Sequence, residues 1–322
     1  MYRVAKHAGV GNIVVEEAPL PAIGPRQVLV RNQRSLISRG SEIGRRYLRP
    51  EEIDPAIMGY SSAGIIEQVG AAVREVAVGQ RVTVVAPHAE YVVGDLDSAV
   101  VGALTVLPDG LSFDDATFHG LVTGALMWAD VPGIQPTDTV VILGQGLVGN
   151  LVMQAVRAHH PARVIAVDAL DLRCQLAREL GADVVINAGT DDPVQAVRDL
   201  TDGQGADLVI DCVGGQAGLR SFAQAQDMCR PFGTIHLIAL YHGASLPLDA
   251  GKIQRRRLLG GYYNDTPRAP YTARALTAMQ TGAIAVAPLL THHFPYTAAK
   301  EAFDLLYEHS DQALGVILTW PE

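Results

Sequence analysis

Cysteine is scarce in this chain. Three thiols, Cys174, Cys212 and Cys229, are spread over 322 residues, and no two form a Cys-x-x-Cys pair. That set is too small for a disulfide framework and wrongly spaced for zinc, so a reducing, cytoplasmic setting is expected. Positive charge is also in the minority. Lys and Arg number 25 against 34 Asp and Glu, a formal net charge of −9. This argues against nucleic acid or an anionic membrane as partner, since both select basic patches. The one tight basic run, Arg255-Arg256-Arg257, reads either as a solvated turn before a strand or as a local anion contact. No apolar run reaches the roughly 18 residues of a membrane span. The opening MYRVAKHAGVGNIVVEEAPL has no apolar export segment, so no signal is expected. Nucleophile elbows and Walker loops are missing too. His292-His293 lies in an extended segment whose successive side chains point to opposite faces, a poor metal site.

Apolar residues are plentiful at 48%, enough to bury the cores of two modest domains. Up to about residue 113 the chain offers short β-branched runs broken by Gly and Pro turns, among them QVLVRNQRSLIS, SAGIIEQVG and QRVTVVAP. No long helix fits there, so a compact β-rich, barrel-like domain is expected. SFDDATFHGLVTGALMWADV then reads as a helix with Ser112 at its N-cap. After it, apolar strands alternate with helices: TVVILG, RVIAVD, DVVIN, ADLVIDCVG and GTIHLIAL, with AGLRSFAQAQDMCRPFG as the last helix. Continuous apolar strands separated by helices predict an α/β fold, a doubly wound parallel sheet covered on both faces. The tail, from YTARALTAMQTGAI to LGVILTW, is mixed and is expected to return to the first domain.

Between the first of those strands and its helix stands Gly144-Gln145-Gly146-Leu147-Val148-Gly149. A lone Gly-x-Gly-x-x-Gly is weak, but strand-before and helix-after is the context that makes it a dinucleotide loop. Gly144 permits the turn, Gly146 lets backbone approach a pyrophosphate, and Gly149 lets helix and strand pack. Helix N–H groups then face the phosphates. Asp168 ends the next strand at about the interval expected of the acid that holds ribose hydroxyls. A carboxylate there repels a 2′-phosphate, which favours NAD(H) over NADP(H); the plainer role is a helix cap. Arg173 is placed either to cover adenine or simply to sit on the helix surface.

These stretches, with IMGYSSAGIIEQVG, VGQRVTV, AEYVV, RELGADVVIN and PLLTHHFPYTAAKEAFDLL, resemble the medium-chain dehydrogenase/reductase superfamily, in its alcohol and polyol dehydrogenase branch. The resemblance runs over almost the whole chain. It implies a GroES-like substrate domain from residues 1–120 and 259–322 and a Rossmann domain from 121–258, with nicotinamide and substrate held in the cleft. It places Thr123, Val213, Ile238 and Ala239 on the nicotinamide side. It also implies a homodimer or homotetramer, paired near LLGGYYN.

The family's zinc ligands do not carry over. Where it has Cys-Gly-Thr-Asp, this chain has Arg39-Gly40-Ser41-Glu42; where it has Gly-His-Glu, this chain has Gly59-Tyr60-Ser61; the third ligand position holds His119. Arginine stays protonated and cannot donate to a metal, so no zinc is expected. Tyr60, His119, Ser41 and Arg39 become the candidate catalytic residues. Tyr60 or His119 would move a proton, Ser41 would relay it, and Arg39 would anchor an anion. Each has a plainer role as well: filling, packing, capping a turn, or pairing with Glu42. The expected activity is zinc-independent, NAD(H)-dependent interconversion of a secondary alcohol (a cyclitol, sugar or biosynthetic intermediate) and a ketone. The alternatives are reduction of an activated C=C or C=N bond, and non-catalytic dinucleotide binding.

Overall fold

The computed structural model describes residues 1–98, 100, 102–239, 245–261 and 267–321. The chain divides into two compact units, Met1–Thr123 with Arg268–Glu322, and Gly124–Pro267. The first boundary falls inside the helix His119–Asp130.

The discontinuous unit is built around one long strand, Gln27–Ile37. It pairs antiparallel with Ser62–Val69, Tyr91–Asp95 and Gly315–Thr319 along different parts of its length. Register shifts at Leu29/Val30 and Asn32/Arg34 bend it so that it can serve all three partners. Its inward side chains Val28 and Val30 meet Ile66, Val82, Val84 and Val92 in one apolar core. Ile37 belongs to a second core with Phe303, Leu306, Val316 and Trp320, so the tail does return to the β-rich unit. The strand Tyr2–Lys6, which pairs with Ile13–Glu17, carries no signal we read in the sequence.

The continuous unit is a six-stranded, wholly parallel sheet. Its strand order is Val184–Asn187, Arg163–Asp168, Thr139–Leu143, Ala206–Asp211, Cys229–Leu237 and Arg257–Gly260. This order runs outward in both directions from Thr139–Leu143, the doubly wound arrangement whose reversal point takes ligands at the strands' carboxyl ends. Val141, Ile165, Val209 and Ile235 pack against Phe222, Ala225 and Met228 of the helix Ala217–Met228.

Several local expectations need correction. The stretch after Ser112 forms two helices, Phe113–Ala116 and His119–Asp130, rather than one. Ser112 does cap the first, accepting from Asp115 N at 3.0 Å. The last Rossmann helix stops at Met228, because Pro231 has no N–H for a helix, and Cys229–Leu237 is strand. The early part of the chain does hold a helical segment, the nine-residue π-type turn Arg39–Tyr47. Its first free amide belongs to Ser38 and is taken by the Glu42 carboxylate at 2.7 Å. The basic run is a turn leading into the strand Arg257–Gly260, as one reading expected, with Arg255 exposed; Arg256 donates to the carbonyl of Cys229 and Arg257 to Thr234 and Pro132. Of the stretch expected to pair between subunits, Tyr262, Tyr263 and Asn264 lie outside the described residues.

Candidate active site

In the nucleotide unit the strand Thr139–Leu143 ends in Gly144 at φ +83, the left-handed region that glycine enters freely. A Cβ on Gly144 would stand 2.7 Å from Val213 Cγ2, and one on Gly149 would run into the Gly144 carbonyl. Around Gly146, by contrast, there is open space. The helix Leu147–Arg157 starts there with no side-chain cap and no acidic residue in its first turn, so its leading amides are left for an anion. Gln145, Leu147 and Val148 complete the loop. These features fit a dinucleotide's pyrophosphate.

Asp168 is almost fully buried at 8% exposure. One carboxylate oxygen accepts from Gln145 N at 2.7 Å, the other from Leu170 N at 3.0 Å, and Arg173 stands 3.6 Å away. It therefore holds the loop's shape and the following turn at once, and a carboxylate's remaining lone pairs suit ribose hydroxyls. Arg173 lies back on Asp168, with its Nε buried and lacking a hydrogen-bond partner among the described residues. At the neighbouring strand end Asp211 joins two stretches. Its carboxylate accepts from Val213 N and Ser221 Oγ, and its carbonyl accepts from Ile238 N and Ala239 N.

In the other unit Tyr60, Ser61, His119, Thr123 and Arg268 line one narrow recess. Tyr60 donates to Ser38 Oγ at 2.6 Å and also shares a hydrogen bond with Ser41. Burial pushes its phenol above the ordinary tyrosine value, so the hydroxyl keeps its proton at neutral pH. His119 is tied at both ring nitrogens. Nε2 faces the Thr272 carbonyl at 3.0 Å and Nδ1 the Thr83 hydroxyl at 3.3 Å. A carbonyl only accepts, so Nε2 carries the hydrogen and Nδ1 accepts from Thr83. Burial, with the Arg268 charge adding to it, lowers the imidazole below its usual value. Thr123 commits its hydroxyl to the His119 carbonyl at 2.8 Å, a bond within its own helix.

Arg39 stands apart from the other three candidates. It is exposed, it donates through Nε to the Leu306 carbonyl at 3.1 Å, and it does not line the recess. Its neighbour Glu42 is fully buried instead. The Glu42 carboxylate lies 2.9 Å from His88 Nε2; His88 Nδ1 lies 2.8 Å from Ser35 Oγ, which also takes the Trp320 indole N–H. Ser38, His88 and Arg268 were not singled out by the sequence, and Glu42 entered only as a partner for Arg39, a role its burial beside His88 replaces. Only His88 had a visible cue, a lone histidine in APHAEYVV.

The donor chemistry at the positions that the resemblance marks as metal ligands does not suit zinc. Arg39 is a cation bonded elsewhere, the Tyr60 hydroxyl is engaged by serines, and the His119 lone pair accepts a hydrogen bond. No group of three His, Cys, Asp or Glu is placed to hold a metal among the described residues. No described helix is long and apolar enough to cross a membrane.

The family described as "Zinc-binding dehydrogenase" matches residues 148–279, a stretch that contains none of Arg39, Tyr60 or His119. An alcohol dehydrogenase of Cupriavidus necator is 26% identical, over 99% of this chain and 98% of its own. Sorbitol dehydrogenase 1 of Saccharomyces cerevisiae is 25% identical, over 97% of this chain and 96% of its own. The solved alcohol dehydrogenase TADH from Thermus sp. ATN1 shares the fold with a TM-score of 0.85 and 22% identity, each chain covered completely. The likeness to alcohol and sorbitol dehydrogenases thus runs over almost the whole of this chain and of each relative.

Proposed function

We propose that the chain interconverts a secondary alcohol and a ketone with NAD(H) and without zinc, in the cytoplasm, as a homodimer or homotetramer. The observation that carries this reading is the Tyr60 hydroxyl, held by Ser38 and Ser41 at a position where the family has a metal ligand. When bound, nicotinamide supplies or accepts the hydride. Everything else falls to side chains. In the reducing direction, oxygen gains negative charge as the carbonyl is lost, and a donor must meet it. The phenol of Tyr60, its O–H turned from Ser38 Oγ to that oxygen, gives up its proton, and the O–H bond of the product alcohol forms as the phenol's breaks. The phenolate left behind accepts hydrogen bonds from Ser38 and Ser41 and regains its proton from solvent water through them, each hydroxyl taking up one proton as it passes one on. Oxidation runs the same path backwards.

His119 serves the recess differently. With Nε2–H given to Thr272 and Nδ1 accepting from Thr83, it pins the start of its helix to two other segments and has no proton to lend. Asp168, almost fully buried and already accepting two backbone amides, supports NAD(H), because a 2′-phosphate would add charge beside a carboxylate with nowhere to move. The outer strand Arg257–Gly260, with Leu258 partly exposed, supports pairing of copies.

Two measurements test the proposal. Metal analysis of the purified protein is expected to find no stoichiometric zinc; one zinc per chain would refute the mechanism. Ketone and enone panels assayed with NADH and NADPH should show ketone turnover with NADH. Turnover of enones alone, with NADPH, would replace this reading with C=C reduction. NADH binding with no turnover on any panel would favour a binding protein.

A further inference from the structure

The recess around Tyr60 holds one charged group that the proposed chemistry does not use, Arg268. Among the described residues no Asp or Glu lines this recess; its polar wall is made of hydroxyls such as Ser61, Thr83 and Thr272, together with the neutral His119. Arg268 Nε is shut off from solvent and meets no hydrogen-bond partner among the described residues. A buried donor left open in this way calls for an explanation, and a ligand is one. The residue also precedes the helix Ala269–Gln280, whose first turn contains no acid, at the end where a helix least favours a cation. Its side chain does not cap that helix, so local structure gives no reason for arginine. The charge is felt within the recess, since it opposes protonation of His119.

Resting on the dehydrogenase reading above, we propose that Arg268 anchors an oxyanion of the substrate, a carboxylate or phosphate, so that the true substrate is a hydroxy acid or a polyol phosphate rather than a neutral alcohol. A guanidinium offers parallel N–H donors to two oxygens of such a group, and the surrounding hydroxyls can take the third oxygen of a phosphate. Anchored at one end, the substrate presents its secondary alcohol to Tyr60. The overall charge of −9 gives no long-range attraction for an anion, so recognition depends on this local contact.

The test uses three compounds with one six-carbon skeleton: D-sorbitol, neutral; D-gluconate, with a carboxylate; and D-sorbitol 6-phosphate. Wild type should favour one of the two anions in kcat/KM, and which one names the group. Arg268→Gln should cut that value by about 30-fold or more, chiefly through KM, leave sorbitol within about twofold, and Arg268→Lys should restore part of the loss. Calorimetry with sodium acetate and inorganic phosphate, against sodium chloride at matched ionic strength, gives a readout independent of turnover. One oxyanion should bind wild type and not Arg268→Gln, while NADH binds both alike. Equal loss on sorbitol and on the anions, or oxyanion binding indifferent to Arg268, overturns the proposal. If no compound is turned over but oxyanion binding still needs Arg268, the anchor stands and the dehydrogenase reading falls.

Discussion

The two units answer the same resemblance in opposite ways. In Gly124–Pro267 the dinucleotide loop keeps every glycine, and each has its own geometric reason: a left-handed turn at Gly144, open space at Gly146, a close approach at Gly149. In the discontinuous unit the positions that the resemblance marks as metal ligands hold an arginine, a tyrosine and a histidine. Arg39, Tyr60 and His119 are each bound to protein partners rather than poised around a common point. Phosphate recognition relies on main-chain amides, which few sequences can supply. Oxygen activation needs only a well-placed donor, which several side chains can be.

The contrast can be broken most sharply at Tyr60. Tyr60→Phe removes the proposed proton donor and should lower kcat by about 10²–10⁴-fold, the range for a lost general acid. NADH affinity, measured by fluorescence titration, should stay unchanged. Loss of nucleotide binding in that variant would mean Tyr60 is structural. The reciprocal change is Gly149→Ala, whose methyl would collide with the Gly144 carbonyl. Overpacking of this kind costs about 1–3 kcal/mol. Its signature should be a lower thermal midpoint and weaker NADH binding together.

The smallest effect concerns acid. His119 has its folded value pushed below the ordinary 6.5 by burial. The unfolded chain therefore takes up this proton first, so stability is full above 6.5 and is lost as pH falls below it. His236, lowered for the same reason, acts with the same sign. Thermal midpoints at about pH 7.5 and about pH 5.5 should differ less in His119→Gln than in wild type. An unchanged difference would show that His119 does not carry the effect.

The alternation of strands and helices in the nucleotide unit was plain in the sequence, because a strand covered on both faces must be apolar throughout, as in TVVIL. Ser112 was legible as a cap because its partner, Asp115, lies only three residues away. Other features were hidden by distance along the chain. The Glu42–His88 contact spans 46 residues and Arg39–Leu306 spans 267, so local periodicity carries no trace of either. The π-type turn Arg39–Tyr47 was missed for the same reason: its N-terminus is held by a carboxylate that His88 in turn holds. Among the residues that line or support the Tyr60 recess in new ways, Arg268 left the least trace, one arginine in a polar stretch before a helix.

The buried Glu42–His88 pair bears on what it would take to build a zinc site here. Arg39→Cys with Tyr60→His would install two ligand types at the positions that the resemblance marks. The carboxylate beside them is already committed to Ser38 N and His88, and the imidazole at 119 has neither nitrogen to spare. A metal bound there would have to displace hydrogen bonds that already hold Ser38, Glu42, His88 and His119. Ligand types alone would therefore not make a zinc site at these positions: the groups around them would have to be released as well.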